Sequence, residues 1–172
     1  MPRLSPAPHV AAAFIRRGSE VALVFQGSGD EEPFWALPGG VVEDDELVPE
    51  GLAREVLEET SLTIHLPAPL AFLRQIDNRR GSPLAAHPNA GAGSLVTVWV
   101  FDVDSFEGEI HADDPDGVVH EARFVEVGEA AQRLRRTAWL ELAAGYLEGA
   151  VDPGSLHFER WNEDGTVTTP LS

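Results

Sequence analysis

The spacing of apolar and polar positions along the chain predicts both strands and helices. Runs rich in branched and aromatic residues predict strands at residues 9–26, 34–37, 62–77, 95–103 and 118–127. The first run predicts a hairpin, because Gly18 and Ser19 divide it, and the third is interrupted around Pro67 and Pro69. A closing hairpin is predicted from 156 to 168.

Two segments have the spacing of a helix. Residues 50–60 follow Pro49, which suits the first turn of a helix, and 129–149 form the second predicted helix. On the first helix, four positions at i, i+3, i+4 and i+7 are predicted to face a core: Ala53, Val56, Leu57 and Thr60. Three carboxylates are predicted on the other side: Glu55, Glu58 and Glu59. The polar segment 78–94 predicts a long loop, and such loops commonly serve function or move.

The order of these elements predicts an α/β (α+β) fold in one domain. A chain of 172 residues with 43% hydrophobic content is long enough to build one core. We expect a single domain over 1–172, with its core at about 9–149 and the hairpin as an extension at about 152–170. The sequence contains no internal repeat and no low-complexity linker that would suggest a second unit.

Charge and cysteine content narrow the classes of function. The formal net charge is -17, and all 12 basic residues are arginine, so binding to long nucleic acid or to an anionic membrane is electrostatically unfavourable. The chain has no cysteine, which excludes disulfides, thiolate nucleophiles and cysteine-ligated zinc. The first residues lack the apolar centre of a signal peptide, and we expect a cytoplasmic protein.

The carboxylates of the first helix predict a metal site. Glu55, Glu58 and Glu59 converge on one helical turn and repel one another, so a cation is expected against them. Oxygen-rich acidic sites suit hard divalent ions, Mg²⁺ above all, and Mn²⁺ is the other candidate. Gly39 and Gly40 follow a strand and let the backbone approach a metal or a phosphate closely. Together these features indicate a metal-phosphate site.

The same residues resemble the sequence signature of the Nudix hydrolases. Gly40 is followed after five residues by Glu46, and after seven more by Arg54-Glu55-Val56-Leu57-Glu58-Glu59. The signature has a glycine where this chain has Ser61, which we expect to end the helix in a left-handed conformation with modest strain. The resemblance implies an α/β/α sandwich around a mixed central sheet. It also implies metal-dependent hydrolysis of the pyrophosphate bond of a nucleoside diphosphate linked to another moiety.

The resemblance also assigns candidate roles. The implied metal ligands are Glu55, Glu58, Glu59 and the carbonyl of Gly39. The candidate catalytic residues are Glu58, Glu55, Arg54 and Glu121, of which Glu58 or Glu55 is the favoured general base and Glu121 a rival. The candidate substrate-binding residues are Gly40, Glu46, Trp35, Arg74, Arg79 and Arg80. For the three arginines, which lie near the long loop, a solvated position without a ligand is the competing interpretation. For Trp35, core packing is the competing interpretation, and the Asp113 to Asp116 segment is interpreted as a turn rather than as a cation site.

Several functional hypotheses stay open at this point. The substrate is a small nucleotide, namely a nucleoside triphosphate, ADP-ribose or a nucleotide sugar. The alternative is a catalytically silent Nudix-like domain that senses a nucleotide or ADP-ribose, although no carboxylate of the signature is missing. The isomerase branch of the superfamily uses a cysteine, which this chain lacks. An acidic protein-interaction domain would require the signature to be coincidental. A homodimer is possible, with the closing hairpin as an exchange element.

Overall fold

A mixed sheet organises the fold. The computed structural model describes residues 7–29, 32–80, 94–164 and 166–169. Within these residues the strands are β1 (His9–Arg17), β2 (Glu20–Gln26), β3 (Phe34–Ala36), β4 (Gly39–Val41), β5 (Thr63–Ile64), β6 (Leu70–Asp77), β7 (Leu95–Val103), β8 (Phe106–Glu107), β9 (Val119–Glu126), β10 (Ser155–Trp161) and β11 (Val167–Thr168). The helices are α1 (Val48–Thr60), α2 (Val127–Arg135) and α3 (Glu141–Leu147), with a 3-10 turn at Ala138–Leu140.

Strand β1 joins two parts of the sheet. The strand order in the described residues is β11-β10-β6-β7-β1-β2-β3, with β4 also paired to β1 and β9 also paired to β2. Strands β1 and β7 run parallel, as do β10 and β6, and the other pairs of this sheet are antiparallel. Strands β5 and β8 form a separate small antiparallel pair. The sheet is therefore mixed, as predicted.

The period of two along β1 separates two cores. Ala11, Ala13 and Ile15 pack with Leu52 and Val56 of α1 on one side of the sheet. Phe14, one position out of phase, packs on the other side, where the core also contains Ala130, Ala131 and Leu134 of α2 and Ala143 and Ala144 of α3. Helices thus cover both faces, which confirms the predicted α/β/α sandwich.

Helix α1 is rotated relative to the predicted orientation. Its buried residues are Gly51, Leu52, Val56, Glu59 and Thr60. Leu57, predicted to face the core, is 51% exposed, so that prediction was wrong. The prediction placed all three carboxylates on the outer face. In the structure a buried position is taken by a carboxylate, Glu59, while Leu57 faces outward.

The predicted helix over 129–149 is two helices in the structure. Thr137 has extended backbone angles (φ -114°, ψ 112°) and precedes the 3-10 turn, which separates α2 from α3. The predicted strand over 62–77 is divided into β5 and β6, as the predicted interruption around Pro67 and Pro69 requires, and the peptide bond between Leu66 and Pro67 is cis. Most of the predicted 78–94 loop, residues 81–93, lies outside the described residues.

The closing hairpin belongs to the central sheet. Strand β10 pairs with β11 as predicted, and it also runs parallel to β6 over Ser155 to Arg160. This second pairing was not predicted, and it brings side chains of the last strands next to β6. None of the helices in the described part of the chain is long and apolar enough to cross a membrane.

Candidate active site

Helix α1 presents its carboxylates toward the turn that contains Gly39 and Gly40. The helix begins after Leu47, whose N–H donates to the Glu50 carboxylate (2.7 Å), and Pro49 lies in its first turn. Glu55 and Glu58 are partly buried, with side chains 18% and 37% exposed. Glu59 is buried, at 7%.

Arg54 connects the helix to the loop before it. Its guanidinium donates to both carboxylate oxygens of Glu46 (2.7 and 3.0 Å) and to Glu55 (2.8 Å), with a longer bond to Glu58 (3.3 Å). A further bond reaches the carbonyl of Val41 at the end of β4 (3.1 Å). The bonds from Arg54, with a backbone bond from Glu43, lower the pKa of Glu46 to about 2. Arg54 and Glu46 thus form a clamp that holds helix α1 against β4.

The two glycines allow the backbone of β4 to approach its neighbours closely. Gly39 has φ +146°, and a Cβ there would collide with the carbonyl oxygen of Ala11 on β1. A Cβ on Gly40 would lie 2.5 Å from the carboxyl carbon of Glu55. The N–H of Gly39 donates to Glu59 (2.8 Å). A Cβ at either position would therefore disturb the site: at Gly39 it would strike the backbone of β1, and at Gly40 it would displace the Glu55 carboxylate.

Two of the carboxylates lie in surroundings that disfavour their charge. Burial raises the pKa of Glu59 well above its ordinary value, and the negative charges of Glu55, Asp114 and Glu58 add to this, whereas the Gly39 N–H opposes it. Burial also raises the pKa of Glu55, against the effect of Arg54. A single guanidinium does not balance this cluster, so a bound cation would relieve it.

The donor chemistry fits a hard divalent ion, but the ligand set is not preformed. No group of three or more acidic or histidine side chains in the described residues stands in an arrangement that could hold a metal ion. The reason is visible in the contacts: Arg54 engages oxygens of Glu55 and Glu58, and Gly39 engages Glu59. The side chains that would hold Mg²⁺ or Mn²⁺ are these three glutamates, and small rotations would be needed.

The carboxylates line a cavity together with residues of β1, β4, β6 and β7. The cavity has a volume of about 220 Å³. Its acidic residues are Glu55, Glu58, Glu59, Asp114 and Asp116. Its wall is otherwise largely apolar, and includes Leu37, Phe72, Ile76, Val98, Val100, Trp139 and Leu140. An acidic site and an apolar space thus share one cavity, as a ligand with a charged and an apolar part requires.

Comparison with known proteins decides the family. The family model of the NUDIX domain matches residues 6–144. This chain belongs to the Nudix family. Among curated proteins no relative matches by sequence. The resemblance of the carboxylate signature is thereby confirmed, and with it the prediction of a Nudix-type enzyme at the level of the family.

Solved structures share the Nudix fold with this chain. A MutT NUDIX hydrolase from Burkholderia pseudomallei is 23% identical, with a TM-score of 0.55 over 72% of this chain and 85% of that one. A MutT protein from Bacillus halodurans is 18% identical, with a TM-score of 0.63 over 96% and 95%. A NUDIX hydrolase from Nitrosomonas europaea is 15% identical, with a TM-score of 0.64 over 92% and 81%.

The departure of this chain from the Nudix signature occurs at a strained position. Ser61 has φ +59°, and it is the sole non-glycine residue with positive φ in the described part of the chain. Its N–H donates to the carbonyl of Leu57 (2.9 Å), and its hydroxyl lies 3.0 Å from Nε2 of His111. The helix does end in the left-handed conformation expected from the sequence.

Besides Glu46 and Arg54, which form the clamp described above, four candidates from the sequence do not line the cavity. Trp35 packs on Phe25 (5.1 Å between ring centroids) and lies against two arginines, away from the cavity lining. Glu121 is exposed on β9 and paired with Arg123 (3.1 Å). Arg79 is exposed and paired with Asp77, and Arg80 is exposed next to residues 81–93, which lie outside the described part of the chain. The geometry therefore favours the packing interpretation of Trp35 and disfavours Glu121 as the base.

Arg74 and two aspartates do line the cavity. Arg74 is buried and bonded to Glu159 within the protein, and its predicted contact with substrate stays a prediction. Asp114 accepts bonds from the N–H groups of Asp116, Val118 and Val119 (2.8 to 3.0 Å), as the predicted turn requires, yet it also lines the cavity. The interpretation of residues 113–116 as a turn did not predict that Asp114 also lines the cavity. Trp139 was also missed, because it was placed inside a continuous helix.

Proposed function

We propose that this Nudix protein hydrolyses the pyrophosphate bond of a nucleoside diphosphate linked to another moiety, with Mg²⁺ or Mn²⁺ as cofactor. The observation that carries the proposal is the cluster of Glu55, Glu58 and Glu59 at the end of a largely apolar cavity. The substrates considered are nucleoside triphosphates, ADP-ribose and nucleotide sugars. Each has a pyrophosphate beside a nucleoside, which matches the acidic and apolar parts of the cavity.

The buried carboxylates are assigned to the metal. Glu59 accepts a bond from the Gly39 N–H and Glu55 accepts one from Arg54, so small rotations of these two side chains would bring their oxygens to a cation. The carbonyl of Gly39 remains the proposed backbone ligand. The bound ion would neutralise the pyrophosphate, polarise a phosphorus and lower the pKa of the attacking water. A cation bound by Glu59 and Glu55 would place beside them a positive charge that compensates their buried negative charges.

Glu58 is assigned as the general base. It is the most exposed of the three carboxylates, and its contact with Arg54 is long (3.3 Å), so it can turn toward a water molecule. Glu58 would accept the proton as the water oxygen bonds to phosphorus and the bridging P–O bond breaks, which releases a phosphate-terminated product. Arg54 then acts as a positioning residue, since its bonds go to Glu46, Glu55 and Val41.

A substrate panel tests this function. The purified chain is assayed with Mg²⁺ or Mn²⁺ against nucleoside triphosphates, nucleotide sugars, dinucleotides and ADP-ribose, and the phosphate products are measured. Glu58→Gln should lower kcat by about 100-fold or more while the chain stays folded. Glu129→Gln on α2, an exposed carboxylate paired with Arg133, is the matched control and should be unchanged.

The results separate the alternatives. Hydrolysis that persists in both Glu58→Gln and Glu59→Gln would show that the roles are wrongly assigned. If Glu121→Gln abolishes kcat instead, the base lies on β9. Tight nucleotide binding by the wild-type chain, with no turnover of any substrate, would favour the nucleotide sensor.

A further inference from the structure

A buried arginine forms part of the cavity wall and is already paired. The Arg74 side chain on β6 is 8% exposed and lines the cavity. Its Nε and Nη2 donate to the two oxygens of Glu159 (2.9 and 2.5 Å), and its Nη1 donates to the carbonyl of Trp139 (2.5 Å). Bidentate pairing of this kind fixes the plane of the guanidinium. It also cancels the positive charge, so Arg74 does not offer a site for a phosphate.

The partner of Arg74 comes from the last part of the chain. Glu159 lies on β10, which runs parallel to β6 with His157 opposite Arg74. This strand follows residue 144, where the match to the NUDIX family model ends. The Glu159 side chain is 18% exposed, so the ion pair is largely shielded from water. A strand outside the matched region therefore places a charged group behind the cavity wall.

The third member of the contact is the 3-10 turn that carries Trp139. The Trp139 ring lies edge-on to Phe34 (5.6 Å between centroids), and Trp139 lines the cavity together with Ile76 and Val98. The turn connects α2 to α3, and its backbone is fixed to the sheet through the bond from Arg74 to the Trp139 carbonyl. The position of the aromatic wall thus depends on the Arg74–Glu159 pair.

We propose that Arg74 and Glu159 are positioning residues that hold Trp139 as the wall against which the nucleoside of the substrate packs. The inference rests on the proposed function, because it assigns the apolar part of the same cavity to the nucleoside and the acidic part to the phosphates. An aromatic wall binds a planar base mainly by contact area. A shift of about 1 Å in such a wall is enough to weaken binding or turnover by about 100-fold.

Two probes separate nucleoside binding from phosphate binding. The α,β-methylene analogues of ADP, GDP, CDP and UDP carry a nucleoside on a bridged phosphate pair that cannot be hydrolysed at that bridge. Methylenebisphosphonate carries the same kind of pair without a nucleoside. Binding of each is measured by calorimetry with Mg²⁺ present. Glu159→Gln should weaken the best nucleotide analogue by about 10- to 100-fold and should not weaken methylenebisphosphonate, because an Arg74 with less compensation can only favour an anion.

A second ion pair of the same sheet supplies the control. Arg16 and Asp102 form a bidentate pair between β1 and β7 (2.5 and 2.9 Å), and neither side chain lines the cavity. Asp102→Asn should leave the binding of both probes unchanged. If Glu159→Gln does not fold, Trp139→Leu keeps the backbone and the ion pair but removes the ring. It should then show the same selective loss.

The outcomes distinguish this inference from the proposed function. Equal weakening of both probes, or no weakening in Glu159→Gln and Trp139→Leu, overturns the inference even if the wild-type chain hydrolyses its substrate. Failure of every nucleotide analogue to bind the wild-type chain also overturns it. If the variants lose binding of the nucleotide analogue alone, but the wild-type chain hydrolyses nothing in the panel, the result supports the inference and contradicts the proposed hydrolysis.

Discussion

Replacing Glu59 by glutamine should stabilise the metal-free protein and remove its activity. Glu59 is 7% exposed and lies near the negative charges of Glu55, Glu58 and Asp114. A glutamine keeps an oxygen that can accept the bond from the Gly39 N–H, while its amide hydrogens can donate to the neighbouring carboxylates. Relief of a destabilising interaction at a functional site is expected to raise the free energy of unfolding by about 0.5–2 kcal/mol. For a chain of this size each kcal/mol corresponds to about 2–4 °C in Tm.

The gain should depend on pH in a defined direction. The pKa of Glu59 in the folded chain is well above 4.5, its ordinary value. The protonated carboxyl therefore contributes stability at pH below about 4.5, and this contribution is lost as the pH rises through the folded pKa. Glutamine does not titrate, so the advantage of Glu59→Gln should grow as the pH rises from acid to neutral.

Denaturant unfolding in EDTA measures this difference, at several pH values and for both chains. Glu58→Gln is the matched control, and because Glu58 is 37% exposed its gain should be smaller. Added Mg²⁺ should then stabilise the wild-type chain and have less effect on Glu59→Gln, since binding to the folded state raises the free energy of unfolding. The reasoning is refuted if Glu59→Gln is no more stable than wild type at neutral pH in EDTA.

Three further changes test other parts of the structure. Gly40→Ala should lower kcat/KM by about 100-fold, because its Cβ would lie 2.5 Å from the Glu55 carboxyl carbon, and unchanged kinetics would contradict the predicted collision. Gly51→Ala should bring none of the roughly 1 kcal/mol expected from helix propensity, since its Cβ would lie 2.9 Å from Glu46; denaturant unfolding measures this. Burial and a neighbouring carboxylate raise the pKa of Tyr146, the one tyrosine of the chain, to about 12. Its stabilising effect should thus be present below about pH 10 and lost as the pH rises through 12, and the absorbance of the phenolate should report that folded pKa.

The carboxylate end of the cavity could be predicted from the sequence, because the residues that form it lie close together in the chain. The spacing of Glu55, Glu58 and Glu59 follows from one helical turn, and Gly39 and Gly40 are adjacent in sequence to a strand end. The hairpin of β1 and β2 and the strand β7 could also be predicted, because each is a continuous apolar run bounded by polar or glycine residues. These features depend on neighbours in sequence, and such neighbours fix helix and strand geometry.

Side-chain direction around α1 could not be predicted in the same way. Periodicity gave Leu57 a core position, since leucine is normally buried and glutamate exposed. The structure reverses this for Leu57 and Glu59, because the turn at Gly39 provides a hydrogen bond that makes a buried carboxylate tolerable. Gly51 lies inside α1, where glycine is normally unfavourable, but a side chain there would press on Val42 and Glu46.

The apolar end of the cavity is assembled from distant parts of the chain, and this has a consequence for the family. Arg74, Trp139 and Glu159 meet only because β10 pairs with β6 and the helix breaks at Thr137. Neither event has a strong local signal. The carboxylate end, by contrast, is formed by the signature residues, and a Cβ at Gly39 or Gly40 would collide with Ala11 or Glu55. On the proposed assignment of the apolar end to the nucleoside, substitutions in the distant residues would alter which nucleoside fits while the carboxylates stay in place, so we expect differences in specificity between Nudix proteins to concentrate at such non-local contacts.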